Sequence, residues 1–170
     1  MKRTKEKIRG DRDKLTAGKK SGTPEFVIRK VKKADLPSVV RMSYGVKEIE
    51  NYPGQKMKED DFAHFLAGEG AFMLVAVAGE KVVGYVTVYQ SDNYFYLPYA
   101  VTRKGWRQRG VGSALLEHIE ILAKEAKVEY ILMSVYVYNS SVQKFLRVRG
   151  YVPSKKLVQY SKIIRSKGKK

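Results

Sequence analysis

Arg107-Gln108-Arg109-Gly110-Val111-Gly112 runs without a break into Ser113-Ala114-Leu115-Leu116 and a helical stretch ending near Lys127. Upstream lies an extended apolar and aromatic segment, Tyr94 to Thr102. A strand, a cationic glycine loop and a helix start together make a physical recipe for a phosphate site. The glycines permit unusual dihedrals and close backbone approach. The first helical turn leaves its N–H groups unpaired and adds the positive end of the helix dipole. Arg103, Lys104, Arg107 and Arg109 crowd the opening, and a guanidinium can fork two donors onto one phosphate. The stretch reads as a pyrophosphate cradle, and its place between strand and helix is what makes so short a glycine pattern informative.

The surrounding chain supplies the expected scaffold. Before the cradle, Ala71–Ala78 and Lys81–Tyr89 are apolar runs joined by Gly79-Glu80, the mark of an antiparallel hairpin. Ser91-Asp92-Asn93 turns the chain into Tyr94–Thr102, so a three-stranded meander leads to the loop. Further upstream, Phe26–Val31 reads as a first strand, and Ala34-Asp35-Leu36-Pro37 opens a helix that Asp35 can cap. Asn51-Tyr52-Pro53-Gly54 carries turn chemistry, and Glu59–Ala67 predicts a second helix on which His64 reads as a surface or packing residue. After the cradle, Val111, Leu115, Ile119, Leu122 and Ala126 stripe one helix face. His118, well along that helix, reads as structural or exposed. Tyr130–Tyr138 predicts a buried strand, parallel to its predecessor through a right-handed crossover. Asn139-Ser140-Ser141 caps a last helix that Gly150 stops, and Tyr151-Val152-Pro153 and Leu157–Ile164 predict terminal strands.

A chain of 170 residues with 44% hydrophobic content suits one domain with tails. The absence of cysteine excludes disulfides, thiol catalysis and thiolate metal sites. With only His64 and His118, no metal site is expected. The net charge of +17 is concentrated at the ends: residues 1–24 carry nine Lys or Arg against three acids, residues 155–170 seven against none, leaving +4 for the middle. Weak nucleic-acid contact is therefore expected of the tails and not of the core. The longest apolar run, Ala71–Ala78, is too short to span a membrane, and the N-terminus lacks a signal-like apolar centre, so a cytoplasmic protein, monomer or homodimer, is expected. The expected organisation is a basic, disordered or loosely attached arm over residues 1–24, a folded domain over 25–164 and a basic tail over 165–170.

Two separated motifs and the order of elements resemble the GNAT superfamily of N-acetyltransferases. The first is Arg107-Gln108-Arg109-Gly110-Val111-Gly112-Ser113-Ala114-Leu115-Leu116. The second, Asn139 to Tyr151, resembles the family's Asn-x-x-Ala-x-x-x-Tyr-x-x-x-Gly-Phe segment. The resemblance implies an α/β fold: a mixed sheet with an antiparallel N-terminal meander and a parallel pair splayed at the centre, flanked by about four helices. It implies acetyl-CoA as cosubstrate, with the pyrophosphate on the backbone of Gln108, Arg109, Gly110, Val111 and Gly112, and with Arg107 and Ser113 also among the cofactor-binding residues. Pantetheine would lie along Ala100 and Val101, with Asn139 hydrogen-bonding nearby. The acceptor would be a primary amine of a protein N-terminus, a lysine or a small molecule, attacking the thioester directly.

The resemblance also assigns catalytic roles. The Val101 N–H is expected to hold the oxyanion. The family's proton-donating tyrosine falls at Leu146, which has no proton to give, so Tyr138 is the candidate acid. Tyr94 to Val101 holds no carboxylate, so Glu48 and Glu50, with Tyr44 and Tyr52, are the candidates to receive a cationic amine. These departures keep a second reading open: a non-catalytic CoA-binding sensor, or a basic RNA- or ribosome-associated protein on the same scaffold.

Overall fold

The computed structural model describes residues 15–16, 26–49, 56–66, 68, 70–154 and 162. Its strands are β1 (Leu15–Thr16), β2 (Val27–Lys30), β3 (Ala71–Ala78), β4 (Lys81–Gln90), β5 (Tyr94–Leu97), β6 (Ala100–Thr102) and β7 (Tyr130–Met133). The helices are α1 (Leu36–Ser43), α2 (Asp60–Ala63), α3 (Val111–Glu125) and α4 (Ser140–Val148), with short 3₁₀ turns at Lys33–Asp35, His64–Leu66 and Lys104–Trp106. One sheet runs β1-β2-β3-β4-β5-β7, antiparallel from β1 to β5 and parallel between β5 and β7, with β6 also paired to β4. The mixed sheet with its antiparallel meander and four helices is the expected fold. Leu15–Thr16, within the expected loose arm, pair antiparallel with Ile28 and Val27. The remainder of that arm, the Asn51–Gly54 turn and the Leu157–Ile164 strand lie outside the described residues, apart from residue 162, which is in no strand. The strand expected at Tyr151-Val152-Pro153 does not form: these residues are irregular, and Pro153 has no N–H for a ladder.

Period-two alternation splits the sheet's side chains between two cores. On one face Ile28, Leu74, Val86, Val88, Phe95 and Leu97 pack against Val111, Leu115 and Ile119 of α3. On the other, Met73, Val75, Tyr85 and Val101 pack against Leu36, Val39 and Val40 of α1 and Phe62 and Phe65 from α2 and its following turn. Each fully buried Val, Ile or Phe contributes about 1.5–3 kcal/mol. Tyr85 is the exception that needs a partner, since its hydroxyl is buried with it. Ser43 Oγ gives its proton to the Val39 carbonyl at 2.9 Å and lies 2.7 Å from Tyr85 Oη, which leaves the tyrosine as donor. Burial is the main cause that holds that phenol far above its ordinary ionisation range.

Three other local expectations are corrected. Asp35 does not cap α1 with its side chain. Its carboxylate instead accepts a fork from Arg29 at 2.7 and 2.9 Å and the Lys32 N–H at 2.7 Å, tying α1 to β2, because a guanidinium is a stronger partner than a helix amide. The strand expected over Tyr94–Thr102 is broken at Pro98-Tyr99, where proline has no N–H for the ladder. The buried strand expected over Tyr130–Tyr138 stops at Met133, and Tyr136, Val137 and Tyr138 are exposed in a turn. Their apolar and aromatic character resembled a strand core locally, but no neighbouring strand meets them among the described residues.

Candidate active site

The sheet opens where β5 gives way to β6. β5 and β7 run in parallel register from Tyr94↔Tyr130 to Leu97↔Met133 and then part, while Ala100–Thr102 pair only with β4. Thr87 holds the break closed on the β4 side. Its N–H donates to the Tyr99 carbonyl at 2.9 Å, and its Oγ1 accepts the Tyr99 N–H at 3.1 Å. The Arg103 N–H likewise donates to Val83 O. With Tyr99 and Arg103 facing β4, and Val101 opposite Tyr85, alternation points the backbone groups of Ala100 and Thr102 into the opening. This corrects the expected oxyanion donor: the Val101 N–H belongs to the β4 ladder, and the Ala100 N–H faces the gap.

The glycine loop forms as the sequence requires. Gln108 and Gly110 take positive φ, 61° and 82°, and α3 begins at Val111, two residues earlier than the helical run suggests. The Ala114 N–H closes the first helical bond to Gly110 O at 2.9 Å. Among the described residues no protein acceptor meets the N–H groups of Val111, Gly112 and Ser113, and glycine at the cap has no side chain to offer. A methyl group at Gly112 would meet only Thr102 Oγ1 at 3.7 Å and Phe145 Cζ at 3.8 Å. The space beside the unpaired amides is therefore open, and β6 ends next to it. Not all the expected cations point there: Arg103 reaches Val82 O with Nε and Nη2 at 3.2 and 3.1 Å, and Arg109 lies over the Trp106 ring at 5.5 Å.

Two clefts lie near the glycine loop. One, of about 580 Å³, is lined by Ser113, Ser141, Lys144, Phe145, Val148 and Arg149 between α3 and α4. The other, of about 320 Å³, lies along Val101 and Thr102 and is walled by Arg41, Tyr44, Lys104 and Arg107. Arg41, from the last turn of α1, was not legible as a site residue, since sixty residues separate it from the loop.

Asn139 does cap α4, accepting the Val142 N–H at 3.3 Å, and its Nδ2 lies 3.5 Å from Glu48 Oε1. The fold thus brings Glu48, Tyr138 and Asn139 together from opposite ends of the chain. Tyr138 stacks on Tyr136 at 5.2 Å. Its hydroxyl is held above the ordinary phenol range by partial desolvation, then by the Glu48 charge and Tyr136; at 63% exposure water screens these effects. A raised value keeps the proton on at neutral pH, as a donor needs. Leu146 is buried against the α3 core, and Glu50 and Tyr52 lie outside the described residues. His118 is buried, with Nδ1 2.8 Å from Ala114 O.

His64 is exposed and packs on Tyr89, in keeping with a surface or packing residue, with Nε2 2.9 Å from Tyr89 Oη and the two rings stacked; the partner itself was missed. The sequence signal was the alternation Tyr85, Thr87, Tyr89, which puts Tyr89 on the α1–α2 face. Gly84 was also missed: a methyl group there would sit 2.5 Å from Val111 Cγ1, so its bareness seats α3. Glycine inside a strand is the signal for such an approach.

The GNAT acetyltransferase family matches residues 40–151, and the chain belongs to that family. No curated protein matches it. Solved structures of the same fold include AAC(6')-Iy in complex with the bisubstrate analog CoA-S-monomethyl-acetylneamine, at 18% identity and TM-score 0.66, covering 82% of this chain and 99% of that one. An aminoglycoside acetyltransferase from an uncultured soil metagenomic sample is 19% identical with TM-score 0.65, covering 82% and 97%. A transcriptional regulator from Bacillus halodurans C-125 is 19% identical with TM-score 0.70, covering 81% and 99%. Among the described residues no cluster of His, Asp or Glu could hold a metal, and no helix is long and apolar enough to cross a membrane.

Proposed function

We propose that the protein transfers an acetyl group from acetyl-CoA to a primary amine. The observation that carries this reading is a run of backbone amides with no protein acceptor among the described residues. It starts at Ala100 and Thr102 in the splay and continues to Val111, Gly112 and Ser113 at the mouth of α3. Acetyl-CoA supplies an activated thioester. Its pantetheine amides suit the open edge of β6, and its diphosphate suits the α3 amides with Arg107 beside them. The nucleotide end suits the α3–α4 cleft, where Lys144 and Arg149 carry the charge.

The residues around the splay then have distinct tasks. The Ala100 N–H faces the position of the thioester oxygen and stabilises the charge that develops there; one such donor is worth about 10²–10³ in rate. Tyr138, protonated at neutral pH, gives a proton to the departing sulfur, help worth about 10²–10⁴-fold. Glu48, tethered near Asn139, receives a cationic amine. Buried Leu146 in the family's tyrosine position favours the competing reading of a CoA-binding sensor, or of an RNA-associated protein on this scaffold.

An amine panel with thiol detection decides between them. Acetyl-CoA-dependent thiol release with at least one amine is expected, reduced in Tyr138→Phe. A thermal shift accompanied by no release from any amine would support the sensor. At one hundred times Kd the donor should stabilise the fold by about 2.7 kcal/mol, roughly 5–10 °C for a chain of this size. No shift at all would remove the donor site.

A further inference from the structure

The amine must lose a proton, and β5 and β6 carry no carboxylate to take it. The donor clefts open beside α3 and along β6, whereas the α1–α2 face of β4 and β5 presents a row of tyrosines. Tyr89 pairs across strands with Tyr96, one residue from the break at Pro98-Tyr99, and both point to the face that carries Tyr85. His64 stands over this row from the 3₁₀ turn after α2, exposed, with Nε2 2.9 Å from Tyr89 Oη. Phe65 packs against the Tyr89 ring at 5.2 Å and fixes the pair.

We propose that His64 and Tyr89 form the proton relay that deprotonates the acceptor amine, with Tyr89 touching the amine and His64 as the terminal base. This rests on the acetyl-transfer reading. Before attack, the ammonium gives one proton to the Tyr89 oxygen while the Tyr89 hydroxyl proton passes to His64 Nε2, which frees the nitrogen lone pair. The neutral amine then bonds to the acetyl carbon and gives its second proton to solvent water, and the carbon–sulfur bond breaks, the sulfur leaving as thiolate that is protonated in turn. Neutral imidazole with its hydrogen on Nδ1 has the acceptor lone pair that this requires. Histidine suits the task because it exchanges a proton between pH 5 and 8.

Among the described residues the titratable groups around His64 are few. Tyr89 comes from β4, with Tyr96 and Tyr99 beyond it; Asp60 and Asp61 lie on α2, and Asp61 is engaged by the Lys58 N–H at 2.7 Å. β3, against which the turn packs, brings only apolar side chains. The Tyr89 phenol is held above its ordinary range by desolvation and then by Tyr99 and Tyr96, which keeps its relay proton in place at neutral pH.

The test is steady-state thiol release from pH 6 to 9 for the full chain, His64→Gln and Tyr89→Phe, with an amine that the parent protein acetylates. His64→Gln should lower kcat by about 10²–10⁴-fold and abolish the acidic limb of kcat/KM, with KM for acetyl-CoA and the donor-induced thermal shift retained. Tyr89→Phe keeps the ring and its stacking, and should fall in the same direction even if His64→Gln folds poorly. Either variant retaining kcat to within about threefold with the acidic limb intact overturns the relay. Loss of the thermal shift in the parent protein would instead overturn the donor site, and absence of turnover with every amine would overturn acetyl transfer and the relay together.

Discussion

Gly110 and Gly112 look equivalent in the loop, yet the structure gives them different burdens. Gly110 sits at φ 82° with open space where a side chain would go, so its demand is conformational. Gly110→Ala should cost about 1–2 kcal/mol, the penalty of an L-residue in the left-handed region. Gly112 has ordinary helical geometry and room for a methyl group within the protein. Gly112→Ala should leave the free protein unchanged or stabilise it by up to about 0.5–1 kcal/mol, because alanine is the better helix former. It should nevertheless weaken acetyl-CoA, whose diphosphate needs that space. Denaturant melts with and without donor separate the two effects; equal donor affinity in Gly112→Ala and the parent would count against the cradle.

At the scale of elements, the cradle depends on how α3 is seated. Gly84 lets Val111 and Leu115 approach β4, and a methyl group there would collide with Val111 Cγ1 at 2.5 Å. Gly84→Ala should cost about 1–3 kcal/mol by overpacking and should weaken donor binding by displacing the first turn of α3. Adding Val111→Ala should restore part of both, read by melts and calorimetry on the double variant. The tie between β2 and α1 carries a pH signature. Burial pushes the Asp35 carboxyl up, but the Arg29 fork and the Lys32 N–H outweigh it, and the net shift is downward. A carboxyl depressed in the folded state contributes stability above its unfolded value, near 3.9, and loses it as pH falls through the folded value. Stability measured between pH 5 and 2 should therefore fall in the parent protein, and less steeply in Asp35→Asn. That variant should itself cost about 1–3 kcal/mol at neutral pH by weakening the Arg29 fork.

The whole molecule carries +17, but the charge that matters to the donor is local. Arg41, Arg103, Lys104 and Arg107 line one cleft, and the single ion pair among the described residues, Arg29–Asp35, involves none of them. A polyanion relieves the mutual repulsion of such a cluster, and the gain is screened by salt. Acetyl-CoA affinity should fall between 50 and 300 mM salt, and Arg41→Ala should bind about tenfold more weakly at low salt with a flatter salt dependence. Calorimetry at the two ionic strengths reads both. Removing residues 1–14 and 165–170 should leave this behaviour intact while reducing any association with RNA, since the cleft draws its charge from Arg41, Arg103, Lys104 and Arg107.

The chain by itself determined the order of elements, the hairpin, the glycine loop and the helix it opens. Each of these follows from local forces: period-two and period-3.6 burial, positive-φ glycines, and unpaired amides at a helix start. Asn139 was legible as a cap for the same reason. Only the tertiary structure decided which amide faces the gap, because Val101 and Ala100 differ solely in which neighbour the ladder gives them. It also decided that Arg103 ties down β4, that Arg41 and Glu48 meet segments distant in sequence, and that His64 reaches Tyr89. Spacing along a chain constrains a residue's own turn, whereas partners across a sheet or cleft are fixed by how helices and strands pack, and no local pattern encodes that.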